Sequence, residues 1–302
     1  MTVVISILNW NSMSRTRACL ESLKVLKEYP DLVVCVTDNN SLRFDSQVLE
    51  SEYPDLVIFK NPENLGFAGG QAKALEYAKS IGTALFWMLN NDTRVFPNTL
   101  THLLKAYQTH GNGVYGSAAL DKEGAMSTEL IWELAENNFK TKFIPLSQEQ
   151  LSQGKTFRVA NVVGYSLLLP VTVIEEHGFM DPSYFLYYEE TDYCLRLLNH
   201  GVPSYWVGSS KVYHEKEGSS QGKSGLKEIM EYYLYRNLFI FLRRYGSVRM
   251  NFHYLGRFGM RFISANVARR QKVPPLTGKH LLGIFHAFAG KRGPYYRPED
   301  YL

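Results

Sequence analysis

Four times within the first 92 residues, a short apolar run ends in asparagine or aspartate. Val3-Val4-Ile5-Ser6-Ile7-Leu8 runs into Asn9-Trp10-Asn11. Residues 31–37 end in Asp38-Asn39-Asn40-Ser41, and residues 56–59 lead to Asn61-Pro62-Glu63-Asn64. Ala84-Leu85-Phe86-Trp87-Met88-Leu89 breaks off at Asn90-Asn91-Asp92. Short apolar runs bounded by polar punctuation read as buried strands. Between them, Cys19, Leu20, Leu23 and Leu26 recur at helical spacing, and residues 72–81 are helical. Strand–helix alternation predicts an α/β fold with a largely parallel, Rossmann-like sheet covered by helices on both faces. It also predicts where chemistry sits. Polar turns at successive strand ends bring Asn9, Asn11, Asp38, Asn64, Asn91 and Asp92 to one rim, the edge where open α/β sheets bind ligands. Turn preference explains each residue singly; their convergence favours a polar pocket.

One carboxylate between amides is oxygen chemistry that suits Mg²⁺ or Mn²⁺ when a diphosphate supplies further ligands. On its own segment, Asp92 serves equally as a cap of the following turn. Gly66-Phe67-Ala68-Gly69-Gly70 resembles a phosphate-cradling turn opening a helix. It matches neither G-x-G-x-x-G nor the Walker pattern, and the glycines also serve close backbone approach.

Residues 119–157 lose periodicity and read as a variable loop region lining an acceptor cleft. A strand over 162–169, closed by Pro170, and a short helix over 171–177 follow. Then three carboxylates, Glu189, Glu190 and Asp192, fall within four residues at the start of a helix, after Phe185-Leu186-Tyr187-Tyr188. Acids in a first turn complement the helix dipole, and Asp192 with Arg196 makes an i,i+4 pair. An acid held against apolar walls also has a raised pKa and suits general-base work. A short strand over 204–207 and the run 211–214 end at His214, ahead of a Gly/Ser-rich loop. Imidazole is a credible second ligand beside Asp92, and that loop could order over a bound ligand.

The net charge of +4 conceals an asymmetry. Residues 1–225 carry 19 Lys/Arg against 25 Asp/Glu, and residues 226–302 carry 14 against 4. A body over 1–225 and a basic, aromatic helical region over 226–302 are therefore expected. Within the latter, Met230, Tyr233, Leu234, Asn237, Leu238, Phe241 and Leu242 form one stripe, with Arg236, Arg243 and Arg244 interspersed. This region fits either a membrane-apposed helix or a bundle packed on the body with arginines facing water. Nucleic acid is not expected as a partner, because no recognised module is present. Cys19, Cys35 and Cys194 lack metal-ligand spacing, and no run is long enough to span a bilayer, so a cytoplasmic location is expected.

Taken in order, the segments Asn9-Trp10-Asn11, Asp38-Asn39-Asn40-Ser41, Asn64 to Gly70, Asn90-Asn91-Asp92, Tyr188 to Arg196, His214 with Gly218-Ser219-Ser220, and Tyr232 to Asn237 resemble the family 2 glycosyltransferases of GT-A fold. The likeness is to their bacterial rhamnosyltransferase-like branch and covers about residues 2–245. The resemblance implies inverting transfer of a sugar from a dTDP- or UDP-sugar, with dTDP-rhamnose the first candidate, to a saccharide or polyprenyl-diphosphate-linked acceptor. Asn9, Asn11, Asp38, Asn64, Gly66, Gly69 and Asn91 would line the nucleotide-sugar site. Asp92 would be the metal-binding acid, with His214 a later metal or diphosphate contact. The family's usual Glu-Asp pair is Glu189-Glu190 in this chain. That departure puts Glu190 on the base position and keeps Asp192 as the alternative. Gln71 replaces a common Asn. A sugar-phosphate nucleotidyltransferase would want a Gly-rich, basic signature after the first strand, which Asn9-Trp10-Asn11 is not. A retired, glycan-binding protein would not need the intact acids.

Overall fold

The computed structural model describes residues 1–121, 123–125, 154–215, 224–246, 254–256 and 278–296. Most of the expected acceptor-cleft loop, the Gly218-Ser219-Ser220 segment and most of the region between 247 and 277 lie outside the described residues. The chain divides into two compact units. One comprises Met1–Asp181 and Glu190–Gly218; the other comprises Pro182–Glu189 and Ser219–Leu302. Eight residues from mid-chain thus belong to the second unit.

Among the described residues, the first unit is built on a nine-stranded sheet. Strands β1 (Val3–Asn9), β2 (Leu32–Asp38), β3 (Val57–Lys60) and β4 (Leu85–Asn90) pair in parallel, in the order β3-β2-β1-β4. Beyond β4 the sheet becomes mixed. β8 (Ser166–Pro170) runs antiparallel to β4 and to β6 (Val114–Leu120), and β6 pairs in parallel with β9 (Ser204–His214). β5 (Thr93–Val95) and β7 (Thr156–Val159) flank β9 in antiparallel fashion. The run over 162–169 becomes a strand only from Ser166. The two short runs at 204–207 and 211–214 are one strand, interrupted where its register against Ser117 and Ala118 shifts.

Side-chain alternation sends each strand's residues into two cores. Val3, Ile5, Ile7, Leu85, Trp87 and Leu89 pack on one face against helices α1 (Met13–Leu23) and α5 (Thr99–His110). Val4, Phe86, Met88, Leu167 and Leu169 pack on the other against α4 (Ala72–Ser80), α6 (Val171–His177) and α7 (Glu189–Asn199). Two short helices, α2 (Ser46–Glu52) and α3 (Gly66–Gly70), lie in the β2–β3 and β3–α4 connections.

The second unit pairs α8 (Ser224–Tyr245) with α9 (Gly278–Phe288). The buried face of α8 is wider than the expected stripe. Tyr233, Asn237, Phe241 and Leu242 are buried as expected, Leu234 is exposed, and Tyr232, Arg236, Phe239 and Ile240 are buried as well. The two helices meet at Gly283, where an added Cβ would lie 2.7 Å from the Tyr232 carbonyl oxygen and 3.2 Å from the Arg236 nitrogen. Backbone cannot yield as a flexible side chain can. Gly283→Ala is therefore expected to cost about 1–3 kcal/mol of stability, the usual scale of overpacking. An unchanged denaturation midpoint would show that the helices can part freely at this point.

Candidate active site

A chain of amide hydrogen bonds ties the ends of β1 and β2 to Asn91 and to the glycine loop. Asn9 is fully buried at the end of β1. Its Nδ2 donates to Asp38 Oδ1 at 2.9 Å and to Ser41 Oγ at 3.0 Å, and its Oδ1 accepts from Thr16 Oγ1 at 2.7 Å. Asn91 Nδ2 donates to the same Thr16 hydroxyl at 3.1 Å. The Ser41 backbone N–H donates to Asp38 Oδ2 at 3.1 Å, so each Asp38 oxygen already accepts one bond. Asn9 therefore orients Asp38 and presents no surface of its own. Asn11, with φ at 51°, is exposed and accepts from the Leu42 N–H at 2.8 Å.

Asn39 ties the end of β2 to the glycine loop. Its Oδ1 accepts from Asn61 Nδ2 and the Leu65 N–H, while its Nδ2 donates to Asn64 Oδ1 at 2.9 Å and to the Gly66 carbonyl at 3.0 Å. Asn64 Oδ1 also accepts from the Gly66 N–H at 2.9 Å. Gly66 sits at φ 73°, a left-handed conformation that glycine adopts without a Cβ penalty. Asn64 and Gly66 thus shape the loop, and Gly69 lies half-buried within it. Gln71, in place of the shorter amide, is fully buried and accepts from Ser6 Oγ at 2.5 Å.

Asp92 and His214 are 122 positions apart in sequence, yet the sheet makes them neighbours. Asp92 immediately precedes β5, and His214 is the last residue of β9, opposite Thr93 in the antiparallel register. His214 Nε2 stands 3.4 Å from Asp92 Oδ1, with the two side chains 17% and 18% exposed. That oxygen is buried and has no hydrogen-bond partner. A carboxylate with an orphaned oxygen beside an imidazole nitrogen fits a divalent cation. Among the described residues no third His, Cys, Asp or Glu joins the pair. Two protein ligands, with the rest left to water and phosphate, is the way Mg²⁺ is commonly held.

Tyr165 was not singled out from the sequence, and it links the two halves of the site. Its carbonyl accepts from the Asn90 N–H at 3.0 Å, its hydroxyl donates to the Ser117 carbonyl at 2.7 Å, and its ring stacks on His214 at 4.8 Å. The preceding residue, Gly164, faces Glu190. A Cβ built on Gly164 would touch the Phe67 ring at 3.4 Å and the Glu190 carboxyl carbon at 3.9 Å. Phe67 comes from the glycine loop, so loop, acid and Asp92–His214 pair gather around the Gly164-Tyr165 dipeptide.

Of the three acids, Glu190 alone keeps partial exposure. Its Oε2 is nonetheless buried without a hydrogen-bond partner. Burial pushes its pKa up, opposed by the backbone N–H groups of Glu190, Thr191 and Gly164. Asp192 is fully buried, and Glu189 is nearly so. Arg196 directs its guanidinium to the carbonyls of His177 and Phe179, the latter at 2.6 Å. Ahead of these acids, Phe185, Tyr187 and Tyr188 have φ of 66°, 68° and 73°. Aromatic residues rarely adopt this region, and each such residue stores about 1–3 kcal/mol.

Residues 2–163 match the model of glycosyl transferase family 2. The chain belongs to that family. Among curated relatives of this family 2 glycosyltransferase, the dTDP-rhamnosyl transferase RfbF of Shigella flexneri is 24% identical over 226 residues, covering 72% of this chain and 73% of the relative. The low-salt glycan biosynthesis hexosyltransferase Agl10 of Haloferax volcanii is 20% identical over 225 residues, covering 68% and 65%. The fold is GT-A. GalNAc-T7, solved with UDP, GalNAc and Mn²⁺, superposes with a TM-score of 0.57 at 14% identity, covering 92% of this chain and 59% of that one. S. aureus TarS 1–349 with UDP-GlcNAc gives 0.56 at 15% identity, covering 96% and 80%.

Proposed function

We propose that this glycosyltransferase inverts the anomeric centre in a metal-dependent transfer of rhamnose from dTDP-rhamnose. The acceptor would be a saccharide or polyprenyl-diphosphate-linked saccharide in bacterial surface polysaccharide synthesis, such as capsule or O-antigen. The observation that carries the reading is the pairing of Asp92, with its orphaned Oδ1, and His214 at one sheet edge. The likeness to a dTDP-rhamnosyl transferase supports the donor. Asp92 and His214 would hold Mn²⁺ or Mg²⁺. When bound, such a cation stabilises the negative charge that develops on the leaving diphosphate. Asp38, oriented by Asn9, and the half-buried Asn91 lie on the rim where the nucleotide would bind. Glu190 would take the proton of the acceptor hydroxyl while that hydroxyl attacks the anomeric carbon, and a single displacement inverts the centre.

The basic region would hold the enzyme at the inner face of the cytoplasmic membrane. Leu281, Phe285 and Phe288 on α9 are 46%, 64% and 47% exposed, an apolar surface in a strongly basic unit. No helix among the described residues is long and apolar enough to cross a membrane.

Thermal shift with dTDP, UDP, GDP and CMP, each with and without Mn²⁺, tests the donor assignment. Stabilisation by dTDP that requires the metal is the expected result; at 100 times Kd it amounts to about 2.7 kcal/mol. Stabilisation by UDP alone would move the donor to a UDP-sugar. A metal-independent shift would remove Asp92 and His214 from the nucleotide site.

A further inference from the structure

We propose that Arg236 and Asn237 are positioning residues for transfer, holding residues 184–188 in the backbone conformation that delivers Glu190. The proposal rests on the reading of Glu190 as the base.

Both side chains are 0% exposed. Asn237 Nδ2 donates to three carbonyls of one short segment: Tyr184 at 2.8 Å, Leu186 at 2.6 Å and Tyr187 at 3.0 Å. An amide nitrogen has two protons, so these are shared bonds crowded onto one donor. Arg236 donates to the Tyr184 carbonyl at 2.7 Å and to the Gly293 carbonyl at 2.6 Å, and its Nε donates to Asn237 Oδ1 at 2.9 Å. The guanidinium lies over the rings of Tyr233, at 4.8 Å, and Tyr232, at 5.6 Å. Among the described residues no carboxylate pairs with it.

A buried, carbonyl-bound guanidinium is a poor way to make two helices adhere, since apolar residues of similar size do that at lower cost. What the pair does supply is donors to a segment that needs them. Phe185, Tyr187 and Tyr188 all hold positive φ, and such a run does not persist unless its surroundings over-determine it. Phe185 stacks on Tyr233 at 4.9 Å, and Tyr188 packs on Phe241 at 5.4 Å, so rings and carbonyls of the segment are gripped by the same helix. Two residues beyond Tyr188 comes Glu190. The segment runs directly into the first turn of α7, so its backbone conformation sets the entry of the turn that carries Glu190.

The test uses the full-length chain. Amide hydrogen exchange needs no substrate, and in Asn237→Ala and Arg236→Lys it is expected to accelerate at residues 184–190 while the sheet strands keep their protection. With dTDP-rhamnose as donor, both variants are expected to lose at least ~30-fold in kcat, the scale of a misplaced reacting group, with the Kd for dTDP and Mn²⁺ within about twofold of wild type. In a Glu190→Gln background, Asn237→Ala should cost nothing further, because the clamp acts through the missing carboxylate. Unchanged exchange at 184–190, an additive double mutant, or global unfolding of both variants would overturn the proposal by assigning the pair to packing. Wild-type turnover in Glu190→Gln alone would instead overturn the base reading, and the proposal with it.

Discussion

Glu190→Gln is expected to lower turnover at least ~100-fold while dTDP binding stays within about twofold of wild type, the loss typical when a general base is removed. The two effects are expected to separate because Glu190 faces Gly164 and Phe67, whereas the nucleotide reading rests on Asp38, Asp92 and His214. As the proposed base, Glu190 must be ionised to accept a proton, and burial raises its pKa. Rate should therefore rise with pH through a midpoint above the ordinary carboxylate range, and that limb should vanish in the Gln variant. Stability should move the other way. A carboxyl whose folded pKa lies above its unfolded value stabilises the fold only while protonated. That contribution is lost as pH rises through the folded pKa, so at neutral pH the ionised form is a burden. The neutral amide removes it, and Glu190→Gln should melt at or above the wild-type temperature at pH 7, an exchange of activity for stability. Asp192→Asn serves as the contrast. Asp192 is fully buried and cannot meet an acceptor hydroxyl without rearrangement. Its loss should register in the melting curve more than in turnover. Should Asp192→Asn abolish turnover with the fold intact while Glu190→Gln retains it, the two roles exchange.

The same contrast shows which parts of the site were legible in the sequence. Strand ends announce themselves locally, because an apolar run has to stop and turn chemistry is short-range. Asp38 ends β2, and Asn64 and Asp92 follow the ends of β3 and β4 within a few residues, as that reasoning expects. Roles within the rim were not legible. Asn9 and Asp38 look alike in sequence, but only the structure shows one amide wholly consumed in orienting the other residue. The strand pairing behind the expected Asp92–His214 contact was not legible either. β5 has three residues, and its antiparallel match to the end of β9 is what brings His214 to Asp92. In the mixed half of the sheet β8 and β9 are legible in outline, whereas β5, β6 and β7 carry no clear strand–helix alternation to read. Arg236 is the sharpest case. Interspersed arginines on a helix read as solvent-facing, and nothing near residue 236 reveals that its acceptors lie some fifty residues away, at Tyr184 and Gly293.

Asp92→Ala is expected to bring transfer close to background and to erase the dependence of dTDP binding on Mn²⁺. Two observations make this more than a lost cap. Asp92 Oδ1 is buried with no hydrogen-bond partner, so the side chain holds an acceptor in reserve that the fold itself does not use. Its backbone carbonyl, by contrast, accepts from the Glu215 N–H at 3.1 Å, and β5 pairs with β9 through main-chain bonds that alanine leaves in place. The substitution therefore removes the proposed ligand while preserving the strand that carries His214. A structural role would predict a lower melting temperature for the metal-free chain. A ligand role predicts an unchanged or raised one, since a carboxylate oxygen buried without a partner costs free energy in the unliganded fold. His214→Ala should weaken metal-dependent dTDP binding to a smaller degree, because imidazole contributes no formal charge when neutral. It also removes the ring stacked on Tyr165. Isothermal titration of dTDP at fixed Mn²⁺ separates these outcomes. A metal-enhanced affinity that survives Asp92→Ala would place the cation on other ligands and take the diphosphate away from this edge of the sheet.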